Sequence, residues 1–133
     1  MTMDPKDYSA FVNSTISEPS TNLNILTVRL KELENDGMDV PRLLTGVMGL
    51  VAEAAELADI VKKIVFQGKP YDTATHLKLL KEIGDVLWYF DVILQALGTN
   101  IHEVREGNMN KLKARYPEGF EVDKSENRKE GDI

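Results

Sequence analysis

The chain has 133 residues, 42% of them hydrophobic, and this length suits one compact domain with a single core. Cysteine is absent, which excludes disulfides, zinc-thiolate sites and thiol nucleophiles and favours a reducing, cytoplasmic compartment. The formal net charge of -6 disfavours binding to a nucleic acid polymer, and no apolar run approaches the roughly 18 residues of a membrane span.

Apolar residues recur at helical spacing along the chain, and no segment alternates apolar and polar residues as a strand does. The sequence therefore predicts an all-α fold, a bundle of four to five helices. The predicted helices run from about Pro5 to Thr15, Asn22 to Glu34, Asp39 to Phe66, Asp72 to Leu97 and Asn100 to Tyr116. Turn residues separate them, among them Glu18-Pro19-Ser20, Gln67-Gly68-Lys69-Pro70 and Gly98. We expect one domain over residues 1–120 and a polar tail at 121–133.

Two pairs of acidic residues lie on consecutive predicted helices, Glu53 with Glu56 and Glu82 with Asp85. Each pair is spaced by three residues and falls at the border of its helix's apolar face. Four carboxylates that converge between packed helices repel one another unless cations neutralise them, and an all-oxygen site prefers Mg2+ or Mn2+. A single ExxE is common on solvated helices, so the prediction depends on both pairs. Together they indicate a metal site suited to phosphoryl chemistry.

The two histidines, His76 and His102, are predicted near helix starts and outside this site. Neither follows a glutamate by three residues, as a ferritin-like carboxylate site requires. The sequence therefore argues against di-iron oxygen chemistry.

Three glycines stand near the acids. Gly46 and Gly49 precede Glu53 on the same helical stripe, and Gly84 lies inside the second pair. Each glycine in a helix costs about 1 kcal/mol relative to alanine, so the missing side chain must have a use. Close packing of helices and a floor that a base or sugar approaches are both open interpretations.

Further polar and aromatic side chains have two interpretations each. Tyr89 either contacts a phosphate or sugar or packs in the core, and Trp88 either stacks on a base or packs at a core or subunit interface. Asn108, Lys111 and Arg115 share one face of the fifth predicted helix. That row could hold the released phosphates, or it could be a solvated basic face near a helix C-terminus.

The segments Glu53-Ala54-Ala55-Glu56 and Glu82-Ile83-Gly84-Asp85 resemble the ExxE and ExxD marks of MazG-like all-α nucleoside triphosphate pyrophosphohydrolases. The resemblance extends from about Leu43 to Phe120. It implies the all-α fold of that family, with the catalytic domain inside residues 1–120. It also implies hydrolysis of a nucleoside triphosphate to a monophosphate and pyrophosphate by a homodimer or homotetramer.

The same resemblance implies roles for eight residues. Mg2+, for which Mn2+ may substitute in such sites, would be held by Glu53, Glu56, Glu82 and Asp85. Phosphates would be contacted by Lys111 and Arg115, and the nucleotide by Tyr89 and Asn108. Base preference stays open, because the region before Glu53 offers mainly aliphatic side chains and no tryptophan or histidine. These side chains are Leu26, Leu30, Leu33, Met38 and Leu44.

Our mechanistic hypothesis is that bound ions neutralise the triphosphate and lower the pKa of a water, while Glu53 or Glu56 assists its deprotonation. The biological role would be housecleaning of the nucleotide pool. A first alternative is an enzyme selective for one deoxynucleotide or for a damaged nucleotide. A second, of another class, is a non-enzymatic helical module that docks a partner chain through its amphipathic second helix.

Overall fold

A computed structural model of the chain describes residues 4–127, which are all-α and contain no strand. The helices are α1 Pro5–Thr15, α2 Leu23–Asn35, α3 Val40–Phe66, α4 Thr73–Ala96, α5 Ile101–Arg115 and α6 Val122–Glu126. A short 3-10 helix occupies Glu18–Ser20, where the sequence predicted a break. The predicted all-α class is confirmed. In the described part of the chain, no helix has the length and apolar character needed to cross a bilayer.

Five of these helices begin and end within two residues of their predicted bounds, whereas α6 was not predicted. It forms inside the segment interpreted as a polar tail, and residues 128–133 of that tail lie outside the described residues. The chain forms two compact units, one that ends at Pro41 and one that begins at Arg42. The division into a domain over 1–120 and a tail stays a prediction.

Side-chain caps explain why the helices begin where they do. At α4, the Asp72 carboxylate accepts a hydrogen bond from the Thr75 backbone N–H at 2.9 Å, and the Thr75 hydroxyl accepts one from the Asp72 N–H at 2.8 Å. This reciprocal arrangement satisfies two backbone donors of the first turn. At α5, the Asn100 side chain accepts hydrogen bonds from the backbone N–H groups of His102 and Glu103. The predicted starts at Asp72 and Asn100 are therefore confirmed.

Helices α3 and α4 approach each other closely at two glycines. A methyl group on Gly46 would lie 2.6 Å from Cγ1 of Ile93 and 3.2 Å from the backbone oxygen of Tyr89. A methyl group on Gly49 would overlap the Tyr89 ring. Of the two interpretations of these glycines, the structure therefore shows close helix packing. Gly84 differs, because a methyl group there would meet no atom within 4 Å.

Most large apolar side chains of the described residues stay accessible in the single chain. Val40, Ile60 and Leu94 are buried, whereas each of α3 and α4 carries an exposed apolar stripe. The α3 stripe contains Leu44, Val47, Met48, Val51, Val61 and Val65. The α4 stripe contains Leu77, Leu80, Ile83, Leu87 and Trp88. Contiguous exposed apolar surface of this kind is typical of an interaction site.

The close approach at Gly46 predicts an unusual response to alanine. We expect Gly46→Ala to lower the free energy of unfolding by about 1–3 kcal/mol, because the added carbon collides with Ile93 and with backbone atoms of α4. Gly107→Ala is the control, since Gly107 lies inside α5 with open space around it. That change should raise the free energy of unfolding by about 0.5–1 kcal/mol. Urea unfolding followed by circular dichroism at one protein concentration measures both, and equal stabilisation by the two substitutions would contradict the contact.

Candidate active site

The two predicted acid pairs meet where α3 packs against α4. One carboxylate oxygen from each of Glu53, Glu82 and Asp85 lies within 4.8 Å of the others. The order of contacts explains this meeting, because Gly46 and Gly49 on α3 lie against Ile93 and Tyr89 on α4. The two helices therefore run in opposite directions, and residues farther along α3 face residues earlier on α4. Within residues 4–127, one acid from α3 and two from α4 form the tightest group of three carboxylates.

The electrostatics of Glu53 link all four predicted acids. Partial burial raises the pKa of Glu53 above its usual value of 4.5, and the negative charges of Glu56, Asp85 and Glu82 raise it further. A carboxyl with a raised pKa holds its proton longer and, once ionised, is a stronger base. Glu56 thus belongs to the same electrostatic cluster although it stands outside the tightest group. We call these four residues the acid cluster.

A cleft of about 440 Å³ opens beside the acid cluster, on the Glu56 and Glu82 side. Its charged lining consists of Glu56, Asp59, Lys63, Lys69, Lys78 and Glu82. We call this the lysine cleft, because three ammonium groups face it from α3, from the loop that follows and from α4. Its size falls in the range of small-molecule sites.

Asp59 and its two lysines form a paired group at one wall of the lysine cleft. The Asp59 carboxylate contacts Lys62 at 2.6 Å and Lys63 at 2.5 Å. Hydrogen bonds from the Lys62 and Lys63 ammonium groups lower the pKa of Asp59 to about 2. Asp59 therefore stays ionised and neutralised by its own helix, in contrast to Glu53.

Comparison with known proteins identifies the family of the chain. A model of the MazG nucleotide pyrophosphohydrolase domain matches residues 43–120, which include the whole acid cluster and the lysine cleft. The chain belongs to this MazG family. It is also similar to the Gene 37 protein of Mycobacterium phage L5, at 37% identity over 82 residues that cover 61% of this chain and 72% of that protein. No solved structure matches the chain.

The donor atoms of the acid cluster fit the divalent metal ions that MazG-type enzymes use. Its ligating atoms are all carboxylate oxygens, which hard divalent cations prefer. A cation there would also offset the charges of Glu56, Asp85 and Glu82, which add to burial in raising the pKa of Glu53. Glu53, Glu82 and Asp85, with Glu56 beside them, are therefore the residues of this MazG domain that could hold such ions.

The other predicted site residues lie on α4 and α5. The Tyr89 ring packs over Gly49 and meets Trp88 edge-on, with ring centroids 4.8 Å apart. Asn108, Lys111 and Arg115 lie on α5 with the predicted spacing, and the Arg115 guanidinium carbon is 5.9 Å from the Tyr116 ring centroid. The acid cluster itself is built from α3 and α4 alone.

The histidines lie at helix starts, as predicted. His76 is in the first turn of α4, where its Nδ1 is 2.9 Å from the Tyr71 hydroxyl. The His102 backbone N–H takes part in the cap of α5.

Sequence reasoning missed the lysine cleft. Lys78 precedes Glu82 by four residues, so helical spacing could have placed it on the face of the acid pair. Lys63 likewise follows Asp59 by four. Lys69 has no such signal, because it lies in the loop between the helices and its position depends on how that loop folds.

The repulsion within the acid cluster predicts how the pKa of Glu53 changes when a neighbouring charge is removed. We expect Asp85→Asn to lower the pKa of Glu53 toward 4.5 in metal-free protein, because one of the charges that raise it is removed. Carbon-detected NMR titration of the glutamate carboxyls after chelation measures this pKa. Asp91→Asn is the control. Asp91 is on the same helix, but it accepts a hydrogen bond from Gln95 and is not among the charges that raise the pKa of Glu53.

The stability of the folded protein should depend on pH through the same charges. Because the pKa of Glu53 in the folded state exceeds its unfolded value, its contribution to stability is lost as pH rises from about 4.5 through the raised pKa. Asp85→Asn should reduce that loss in metal-free protein. An unchanged Glu53 titration in the Asp85→Asn protein would contradict the proximity of the two carboxyls.

Proposed function

We propose that this MazG domain hydrolyses nucleoside triphosphates between the α and β phosphates, with Mg2+, to a nucleoside monophosphate and pyrophosphate. The observation that carries the proposal is the convergence of Glu53, Glu82 and Asp85 within 4.8 Å, in a chain that belongs to a family of nucleotide pyrophosphohydrolases. Mn2+ would substitute, because it accepts the same oxygen ligands. Housecleaning of the nucleotide pool is the proposed role.

The acid cluster supplies two functions in this proposal. Glu53, Glu56, Glu82 and Asp85 would hold the cations that keep the reacting phosphate in place. Mg2+, when bound, neutralises phosphate oxygens and lowers the pKa of the attacking water. Glu53 or Glu56 would accept the proton of that water, and Glu53 is favoured by its partial burial and by the three carboxylates that make it more basic.

Four further side chains are proposed to bind the substrate. Lys111 and Arg115 on α5 contact phosphates, and Asn108 and Tyr89 contact the nucleotide. The Tyr89 ring is held against Gly49, which would leave its hydroxyl as the group that reaches the ligand. The spacing of Asn108, Lys111 and Arg115 along α5 supports a shared direction for the three side chains.

A homodimer or homotetramer is part of the proposal. The α3 and α4 stripes leave Met48, Val51, Leu87 and Trp88 each more than half exposed in the single chain. Gly84 lies on the α4 stripe with open space around it, which would let a second helix approach closely. Covering these stripes with a second copy would complete the apolar core that one chain lacks.

Two other functions remain as alternatives. A pocket that selects one deoxynucleotide or a damaged nucleotide would use the same acid cluster, and turnover of a panel of common and modified triphosphates separates it from broad hydrolysis. A non-enzymatic partner-binding module would neither bind Mg2+ nor hydrolyse any triphosphate. A cytoplasmic location stays a prediction from the cysteine-free composition.

The assignment of Glu53 as a general base predicts the effect of replacing it with glutamine. Glu53→Gln should lower kcat/KM for triphosphate hydrolysis by about 10²- to 10⁴-fold, because the amide cannot accept the proton. The assay quantifies pyrophosphate and nucleoside monophosphate as the Mg2+ concentration is varied. Asp91→Asn is the matched control on α4 and should keep normal turnover. Full Mg2+-dependent pyrophosphate release by Glu53→Gln would refute this assignment.

The exposed stripes predict a change of assembly. Leu87→Asp should raise the dissociation constant of the oligomer by about 100-fold or more, because it places a charge where an apolar side chain would be buried. Light scattering after size exclusion, over a range of protein concentrations, measures the assembly. Asn110→Asp adds the same charge to an exposed position on α5 and should leave the assembly intact. Unchanged assembly of Leu87→Asp would exclude Leu87 from the interface.

A further inference from the structure

The lysine cleft contains two cations without a carboxylate partner. Within residues 4–127, no salt bridge joins Lys69 or Lys78 to an acid, whereas Lys63 is paired with Asp59. Lys69 is partly buried, whereas Lys78 is exposed. An ammonium group that lines a cleft and makes no ion pair is available to contact an anion in that cleft.

The loop that carries Lys69 is hydrogen-bonded to both helices. Its N–H donates a hydrogen bond to the carbonyl of Lys63 at 3.1 Å, which ties the loop to the end of α3. The next residue, Pro70, accepts a hydrogen bond from the hydroxyl of Thr75, which is buried in the first turn of α4. Lys78 follows Thr75 by three residues on α4. Since the loop is fastened at both ends, little order has to be gained when a ligand binds.

The lining of the lysine cleft suits phosphate better than a base. Its apolar part is Ala55 and Ile60, and its remaining side chains are lysines and carboxylates. It therefore offers no aromatic ring on which a base could stack and no amide that could read a base edge. Lysine ammonium groups act as compact point charges, which suit the oxygens of a polyphosphate.

The charges also favour binding of an anion beside the acid cluster once that cluster holds a cation. Glu56 and Glu82 belong both to the lysine cleft and to the acid cluster, so the two sites share a wall. The six charged residues of the cleft, three acids and three lysines, sum to zero. A divalent cation on the acid cluster would make the combined surface favourable to an anion.

We propose that Lys69 and Lys78 bind the terminal phosphates of the substrate, the part that leaves as pyrophosphate, so that the phosphate contacts proposed for Lys111 and Arg115 fall on the α phosphate. This inference rests on the proposed function for the identity of the substrate, but the subsite itself would bind any inorganic polyphosphate. The nucleoside then lies outside the lysine cleft. The number of phosphates, more than the base, determines the affinity gained there.

Binding of inorganic tripolyphosphate in the presence of MgCl2, measured by isothermal titration calorimetry, tests the subsite without catalysis. The double variant Lys69→Met with Lys78→Met should weaken this binding by about tenfold or more, because two charge-assisted contacts are lost. Lys81→Met removes the same charge from α4 outside the lysine cleft and should bind as the wild type does. The charge-preserving Lys69→Arg with Lys78→Arg should retain most of the affinity.

Equal affinities of the wild type and the double methionine variant would overturn the inference, as would absence of tripolyphosphate binding by the wild type. If the methionine variants do not fold, NMR shift perturbation of the wild type decides. Tripolyphosphate must then shift the signals of Lys69 and Lys78, and unshifted signals would overturn the inference. Lysine-dependent binding without pyrophosphate release from any triphosphate would instead sustain the subsite and refute the proposed function.

Discussion

The close approach of α3 and α4 at Gly46 and Gly49 is the constraint on which the rest of the candidate site depends. Because no side chain separates the helices there, the Ile93 side chain and the Tyr89 ring fit directly against the α3 backbone. The opposite directions of the helices then bring the residues that follow Gly49 to face those that precede Tyr89. The acid cluster forms as the next layer of the same contact.

This packing partly buries Glu53 and surrounds it with like charges, and burial first and repulsion second raise its pKa. A fold that tolerates such repulsion gains stability from any cation that neutralises it. Farther along α3 the situation changes, because Asp59 is neutralised by Lys62 and Lys63. The interface of the two helices therefore passes from an acid cluster to a cleft where lysines face carboxylates, a gradient suited to a metal-bound polyphosphate.

The apolar surface of α3 and α4 also bears on how the helices of the acid cluster are held in place. Few large side chains of the described residues are buried, and Ile60 and Leu94 alone would be a small core for helices as long as these. Oligomerisation, which we propose, would cover the two stripes and fix the helices that carry the acids. In that case the stability of the acid cluster and the assembly of the protein would be coupled.

The sequence by itself determined the five main helices, because apolar spacing, Asp72 and Asn100 caps and glycine stops are local signals. It also determined which acids would share a helix face, since three-residue spacing fixes their direction. Contacts between elements were decided only by the tertiary structure. Whether Gly46 served packing or a ligand depended on Ile93, on another helix. The position of Lys69 depended on two hydrogen bonds that join its loop to α3 and α4. The Lys69 N–H donates to the carbonyl of Lys63, and the Thr75 hydroxyl donates to the carbonyl of Pro70. No local sequence pattern encodes such bonds.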